Sequence, residues 1–164
     1  MKILTDRQIR QKIKRLAIEI VENNFEENAI ILAGINNKGM TFAGLLLEEL
    51  AIITAQNITL TRLKINPADP LSADIYLEMP VEDLRGKVVI IVDDVANTGR
   101  TLFYAAKPLL ETLPKKIEVA VLVDRTHKFF PVKVDYVGLS LATTLLEDID
   151  VQISDVKEFG VFLN

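Results

Sequence analysis

Two adjacent carboxylates, Asp93 and Asp94, follow five β-branched apolar residues, Val88 to Val92, and precede the turn Val95-Ala96-Asn97 and the run Thr98-Gly99-Arg100-Thr101. The apolar run is short, with Gly86 and Lys87 before it and aspartate after it, which predicts a buried parallel strand. Thr98 to Thr101 offer hydroxyls and flexible backbone where a helix begins. The first N–H groups of a helix have no internal partners, so such a place suits an anion. Carboxylates cannot hold a phosphate, but they hold sugar hydroxyls or, through water, a divalent metal. Alone, the acid pair also reads as solubilising charge at a strand end or as a helix cap. With the Thr-Gly-Arg-Thr sequel it describes a site for one ligand, a phosphate at one end and a polyol at the other. A ribose phosphate has that form.

The elements that must position this stretch are legible in outline. Thr5 to Asn24 has helical spacing, with Ile9, Ile13, Leu16, Ala17, Ile20 and Val21 on one face and Thr5 or Asp6 as the N-cap. Ala29 to Ile35 predicts a buried strand that runs into a polar loop, Asn36 to Gly39, and then a helix from Met40 to Ala51. Ile58 to Ile65 reads as a half-buried strand. Asn66 to Asp74, with two prolines and no period, is a loop between strands, where function often sits. A short extra strand is expected near Ile75 to Met79, and a helix from about Thr98 to Leu113 interrupted by Pro108. Further strands fall at Ile117 to Val123, ending at Asp124-Arg125, and at Val134 to Gly138. Val151 to Ile153 and Phe159 to Leu163 form small terminal strands or coil. This order predicts a mostly parallel α/β sheet with helices on both faces. The polar loops follow strands, where open sheets bind ligands.

Bulk properties exclude several classes. A chain of 164 residues, 49% hydrophobic and 26% charged, fits one globular domain. It has no cysteine and one histidine, so disulfides, thiolate metal sites and multi-histidine metal sites are ruled out. No apolar run is long enough for a transmembrane helix, and MKILTDRQIRQKIKR lacks a signal-peptide core, so a cytoplasmic location is expected. The net charge of −4 gives no general reason to bind nucleic acid.

With these residues in view, VVIIVDDVANTGRTL resembles the phosphoribosyl-diphosphate motif of the type I phosphoribosyltransferases. TDRQIRQKIKRLAIEIVENN, LAGINNKGMTFAGLL and VAVLVDRTHKFFPVKVDYVG resemble the PyrR-type branch, pyrimidine attenuation regulators with uracil phosphoribosyltransferase activity. The resemblance covers nearly the whole chain and is thinnest between Asn66 and Val81. It implies a single domain over residues 1–164, with a Rossmann-like parallel sheet of about five strands and a small hood. Asp93 and Asp94 are then the catalytic pair on the ribose 2′- and 3′-hydroxyls. Ala96, Asn97, Thr98, Gly99, Arg100 and Thr101 cradle the 5′-phosphate. The Asn36 to Gly39 loop, with Asn37, Lys38 and Gly39, takes the pyrophosphate. The hood is implied over Asp124 to Val137, with Asp124 and Arg125 at its start. Mg²⁺ would bridge pyrophosphate and ribose hydroxyls, held largely by substrate and water rather than by a protein metal site.

The implied reaction moves the phosphoribosyl group of phosphoribosyl diphosphate to a nucleobase, with uracil leading. The alternative is an RNA-binding attenuation regulator that uses the pocket as a nucleotide sensor. Homodimers or larger homo-oligomers are expected from the family. The chain also departs from its relatives. Asn97 stands where the 6-oxopurine enzymes carry an aspartate base, which disfavours hypoxanthine and guanine. NPADPL looks shortened and lacks the basic residue that commonly grips pyrophosphate. Phe129-Phe130 replaces a more polar pair and reads as hood packing or subunit contact rather than base stacking. Lys14 and Ile18 replace a threonine and a histidine near the regulators' RNA surface, whereas Lys128 and Lys133 keep basic character. The basic run Arg7, Arg10, Lys12, Lys14 and Arg15 reads as a solvated face. His127 reads as a surface or hood residue. Arg100 is open between a phosphate contact and a local structural or subunit role.

Overall fold

In the computed structural model, which describes residues 1–144 and 146–164, two sheets form from nine strands among the described residues. β1 (Lys2–Thr5) leads into α1 (Asp6–Asn23). Thr5 caps this helix through a capping box: its Oγ1 accepts from the Gln8 N–H at 3.3 Å, and its own N–H donates to Gln8 Oε1 at 2.9 Å. Ile9, Ile13, Leu16, Ala17 and Ile20 are buried on one face, as their spacing predicts.

The larger sheet begins with β2 (Ala29–Ile35), α2 (Asn36–Ile53), β3 (Asn57–Lys64) and β4 (Tyr76–Leu77). It continues with β5 (Val88–Ala96), α3 (Arg100–Ala105), β6 (Lys116–Arg125) and β7 (Tyr136–Leu141). Its spatial order is β4-β3-β2-β5-β6-β7, parallel except for β4 at the edge. Alternate residues of β5 feed opposite cores. Val88, Ile90 and Val92 pack under α1 and α2, and Val89 and Ile91 pack under α3 with Leu102, Ala105 and Leu109. A central strand covered on both faces must be apolar at every position, which is why the run lacks alternation.

Three expectations change. The strand carrying Asp93 and Asp94 extends to Ala96, because β6 keeps supplying partners beyond the apolar layer: Asp93 is opposite Val121 and Ala96 opposite Asp124. The helix after it has six residues and gives way to a 3-10 segment, Lys107–Glu111, around Pro108, since proline cannot donate the next helical bond. Asn36 to Gly39 is the first turn of α2 rather than a loop.

A small second sheet joins the two terminal segments expected as small strands or coil to β1, which no expected strand covers. It is the antiparallel sheet β1-β9-β8, with β8 at Ile149–Gln152 and β9 at Gly160–Leu163. The stretch from Asp124 to Val137 supplies instead the end of β6, a connection and the start of β7. Of this stretch only Asp124, Arg125, Tyr136 and Val137 pair within the large sheet, while residues 126–135 form the connection, whose Phe129 and Phe130 N–H groups donate to the Thr98 carbonyl.

Candidate functional site

The strand order reverses between β2 and β5, with β3 on one side and β6 on the other. Open α/β sheets leave a crevice at such a switch point, beyond the carboxyl ends of the strands. A cleft of about 440 Å³ lies there. Asn37, Lys38, Asp93, Asp94, Ala96, Asn97, Thr98, Gly99, Arg100 and Thr101 all line it. Three expected residues do not: Gly39, Asp124 and Arg125.

The acid pair lies near the carboxyl end of β5. The Asp94 N–H donates to Asp93 Oδ1 at 2.9 Å, which fixes the Asp93 carboxylate against the backbone. Part of Asp93 reaches the cleft, yet its carboxyl sits deep enough that burial pushes its pKa well above the usual carboxylate range. The neighbouring Asp94 charge adds to that rise, and Lys38 opposes it. Two carboxylates held this close favour hydroxyl donors or a cation. Among the described residues no three acidic or histidine side chains gather into a metal cage. The site still fits Mg²⁺, because that ion keeps several waters and takes one or two carboxylates plus substrate phosphate oxygens.

The opposite wall is the start of α2. Asn36 has a positive φ of 51°, a conformation asparagine tolerates better than most residues. Its amide ties the ends of two strands together. Oδ1 accepts from the Ile65 N–H at 3.1 Å, and Nδ2 donates to the Ile65 carbonyl at 2.9 Å. Sequence reasoning gave Asn36 no role of its own; its place before a helix, in a residue type that accepts positive φ, was the available signal. Asn37 and Lys38 are exposed to the cleft, and Lys38 Nζ is 3.9 Å from Asp150 Oδ1 on β8. No acidic residue occupies the first turn of α2 and no side chain caps it, so its positive end is left for an anion. Gly39 is buried behind this wall. A Cβ there would stand 2.6 Å from the Val92 carbonyl oxygen, so glycine is what lets α2 approach β5.

The Thr98 to Thr101 turn is anchored from behind. Gly99 has φ of 87°, and the Thr98 carbonyl accepts from the Phe129 and Phe130 N–H groups at 3.0 and 3.1 Å. The Arg100 N–H leans on Thr98 Oγ1 at 3.4 Å. The Arg100 guanidinium turns away to the loop after β3, donating to the carbonyls of Pro67 at 2.6 Å and Ala68 at 3.4 Å. Of its two readings, this geometry fits the local structural one. Pro67 and Ile149 also line the cleft, brought there by that loop and by the small sheet. Neither was legible, since both depend on contacts distant in sequence.

Asp124 and Arg125 have other partners. Asp124 Oδ1 accepts from Lys128 Nζ at 2.5 Å. Buried Arg125 donates to the Thr144 carbonyl at 3.2 Å and the Glu147 carbonyl at 2.7 Å. The basic first helix is partly engaged as well: Arg10 pairs with Asp6, Arg15 with Glu19, and Lys12 donates to the Gly138 carbonyl. Arg7, Lys14 and Lys133 stay exposed. Phe130 packs against Phe103 and Tyr104, while Phe129 is exposed beside His127. No helix among the described residues is long and apolar enough to cross a membrane.

Comparison with known proteins is consistent along the chain. The family model for the phosphoribosyl transferase domain matches residues 1–158. The bifunctional protein PyrR of Bacillus pumilus is 36% identical over 170 residues, covering 95% of this chain and 92% of that protein. The bifunctional protein PyrR of Brevibacillus brevis is 35% identical over 167 residues, covering 97% and 93%. Among solved structures, a hypoxanthine phosphoribosyltransferase of Trypanosoma cruzi superposes with a TM-score of 0.80 at 18% identity, covering 98% of this chain and 95% of that one. A hypoxanthine-guanine phosphoribosyltransferase of Bacillus anthracis gives 0.71 at 22% identity, covering 85% and 81%. At such identities the two structures speak to the fold alone. The match along almost the entire length, joined to PyrR relatives above one third identity, means that the chain belongs to the phosphoribosyl transferase family, in its PyrR-type branch.

Proposed function

We propose that the protein binds phosphoribosyl diphosphate with Mg²⁺ and transfers the phosphoribosyl group to a nucleobase, uracil first, releasing pyrophosphate. The observation that carries this reading is the single cleft joining the acid pair, the Thr98 to Thr101 turn and the uncapped start of α2. Asp93 and Asp94 accept from the ribose hydroxyls, and the turn receives the 5′-phosphate on its N–H groups and hydroxyls. Lys38 and the start of α2 face the departing diphosphate. The C1–oxygen bond breaks as a base nitrogen bonds to C1, so positive charge develops on the ribose beside two carboxylates. Fixing the sugar at three points supplies orientation, and the loop tethered by Arg100 shields the activated sugar from water. Mg²⁺, when bound through Asp93 or Asp94, supplies charge neutralisation at the leaving group.

Asn97 lies in the cleft wall. Its amide cannot take a proton, which supports a pyrimidine over a 6-oxopurine. A base panel tests the reading. Incubated with phosphoribosyl diphosphate and Mg²⁺, the protein is expected to form a nucleotide from uracil and none from hypoxanthine or guanine. Absence of product with every base, together with no calorimetric binding of the sugar diphosphate, refutes it.

A second reading, an RNA-binding regulator, is supported by the relatives' description as bifunctional and by the exposed Arg7, Lys14 and Lys133. Retention of pyrimidine leader RNA on a filter is then expected to fall steeply between low and moderate salt. Retention that is absent, or indifferent to salt, removes this reading.

A further inference from the structure

Lys38 lines the main cleft, but Asp150, the one carboxylate within 4.0 Å of its ammonium among the described residues, does not. Lys38 Nζ stands 3.9 Å from Asp150 Oδ1, with the two side chains 57% and 35% exposed. Alternate residues of a strand face opposite sides. Ile149 and Val151 of β8 are buried, and Ile149 lines the cleft, so Asp150 and Gln152 sit on the other side of the strand. Gln152 Nε2 donates to Asp150 Oδ2 at 2.8 Å, which leaves Oδ1 as the oxygen turned to Lys38. β8 cannot drift with its carboxylate, because it pairs with β9 along its length, and Asp148 and Asn164 exchange N–H donors at 2.9 Å just before it. The result is a lysine at the edge of the cleft with an anion of the chain itself already beside it.

We infer that Asp150 is an internal competitor for Lys38: it holds the ammonium toward the small sheet in the ligand-free protein and takes it back as the diphosphate leaves. The inference rests on the transferase reading and concerns how that site is regulated, adding no contact to the ligand. A lysine is a single charge on four flexible carbons, so it can swing between a carboxylate outside the cleft and an anion within it. Only one of the two can be served at close range. An ion pair this exposed is weak, which suits a contact that must be exchanged at every turnover. Bound diphosphate is thereby held less tightly than the same cleft would hold it without Asp150, and its release is favoured.

Calorimetry on the full chain with Mg²⁺ tests this with two probes. Inorganic pyrophosphate reports the anion that Lys38 meets, and ribose 5-phosphate reports the acid pair and the Thr98 to Thr101 turn. Asp150→Asn is expected to tighten pyrophosphate by roughly two- to fivefold, the range an exposed ion pair can supply, and to leave ribose 5-phosphate unchanged. The sign is opposite to that of a lost structural contact, which weakens both. In a Lys38→Met background the same Asp150→Asn change is expected to have no effect, because the two substitutions act through one pair. Pyrophosphate affinity that falls or stays level in Asp150→Asn overturns the inference, as does an equal gain for both probes. A gain that persists in the Lys38→Met background also overturns it, since direct repulsion between Asp150 and the ligand would then be the cause. In each of those cases wild-type binding of ribose 5-phosphate leaves the transferase reading standing. A wild type that binds neither probe overturns both.

Discussion

Replacing Asp93 and Asp94 together by asparagine is expected to lower affinity for phosphoribosyl diphosphate by about 10²- to 10⁴-fold while the fold persists. Each lost charged acceptor is worth about 1.5–3 kcal/mol, and the two act on neighbouring hydroxyls. Calorimetry with the sugar diphosphate and a circular dichroism melt check the two halves of this result. Retained binding sinks the site assignment. The single change Asp93→Asn carries a second expectation of opposite sign. Burial and the Asp94 charge raise the Asp93 pKa above its unfolded value, so the folded chain holds more protons than the unfolded one between those two pKa values. Stability from this group is therefore present at low pH and lost as pH rises through that interval. At neutral pH, Asp93→Asn removes the penalty and is expected to raise the melting temperature of the ligand-free protein, by about 2–4 °C for each kcal/mol relieved in a chain of this size. The gain should shrink on acidification. A melting temperature that falls, or a gain that grows in acid, contradicts the stated origin of the pKa shift.

Gly39→Ala is expected to be the most damaging single methyl group in the site. Its Cβ would meet the Val92 carbonyl oxygen at 2.6 Å, and that oxygen belongs to the central strand, which cannot yield cheaply. Overpacking of this kind costs about 1–3 kcal/mol. The relief is for the start of α2 to lift from β5, carrying Asn37 and Lys38 away from the acid pair. Urea denaturation should show the loss of stability, and titration with phosphoribosyl diphosphate a parallel loss of affinity. Normal stability with normal affinity would mean that the close approach of α2 to β5 does not matter. A contrasting substitution, Gly44→Ala on the same helix, meets nothing within 4 Å and serves as the control.

The contrast between Gly39 and Asp93 also marks the limit of what the linear chain reveals. Asp93, Asp94 and the Thr98 to Thr101 turn were legible because strand, acid pair and helix start are contiguous, and contiguous residues stay together in the fold. Lys38 was legible as a polar residue following a strand, and the sheet brings it to the same cleft. Gly39 was implied as a binding residue by the family resemblance of the Asn36 to Gly39 stretch, but one step along a helix turns a residue by about 100°, enough to point it at β5. Asp124 and Arg125 also lie at a strand end, yet Lys128 and the carbonyls of Thr144 and Glu147 occupy them. Those partners could not be inferred from spacing. Nor could Ile149 and Asp150, whose approach depends on a sheet assembled from segments far apart in sequence. The fold itself was largely legible, because hydrophobic runs identify strands wherever their neighbours fall. Of the small sheet, β8 and β9 were legible only as small terminal strands or coil and β1 not at all, because its strands are four residues long and alternate weakly.

That small sheet has a consequence for the order of assembly. β9 is its middle strand, bonded to β1 on one side and β8 on the other. β1 and β9 come from opposite ends of the described chain, whereas each parallel pair in the large sheet closes over a much shorter separation. Contacts that enclose long stretches of chain form late, since the loop entropy is lost before the contact repays it. The six-stranded core, with the acid pair and the phosphate turn, can therefore stand before the wall carrying Ile149 and Asp150 is in place. Folding should pass through a species that has the floor of the cleft without its side, and ligand binding should report the last step.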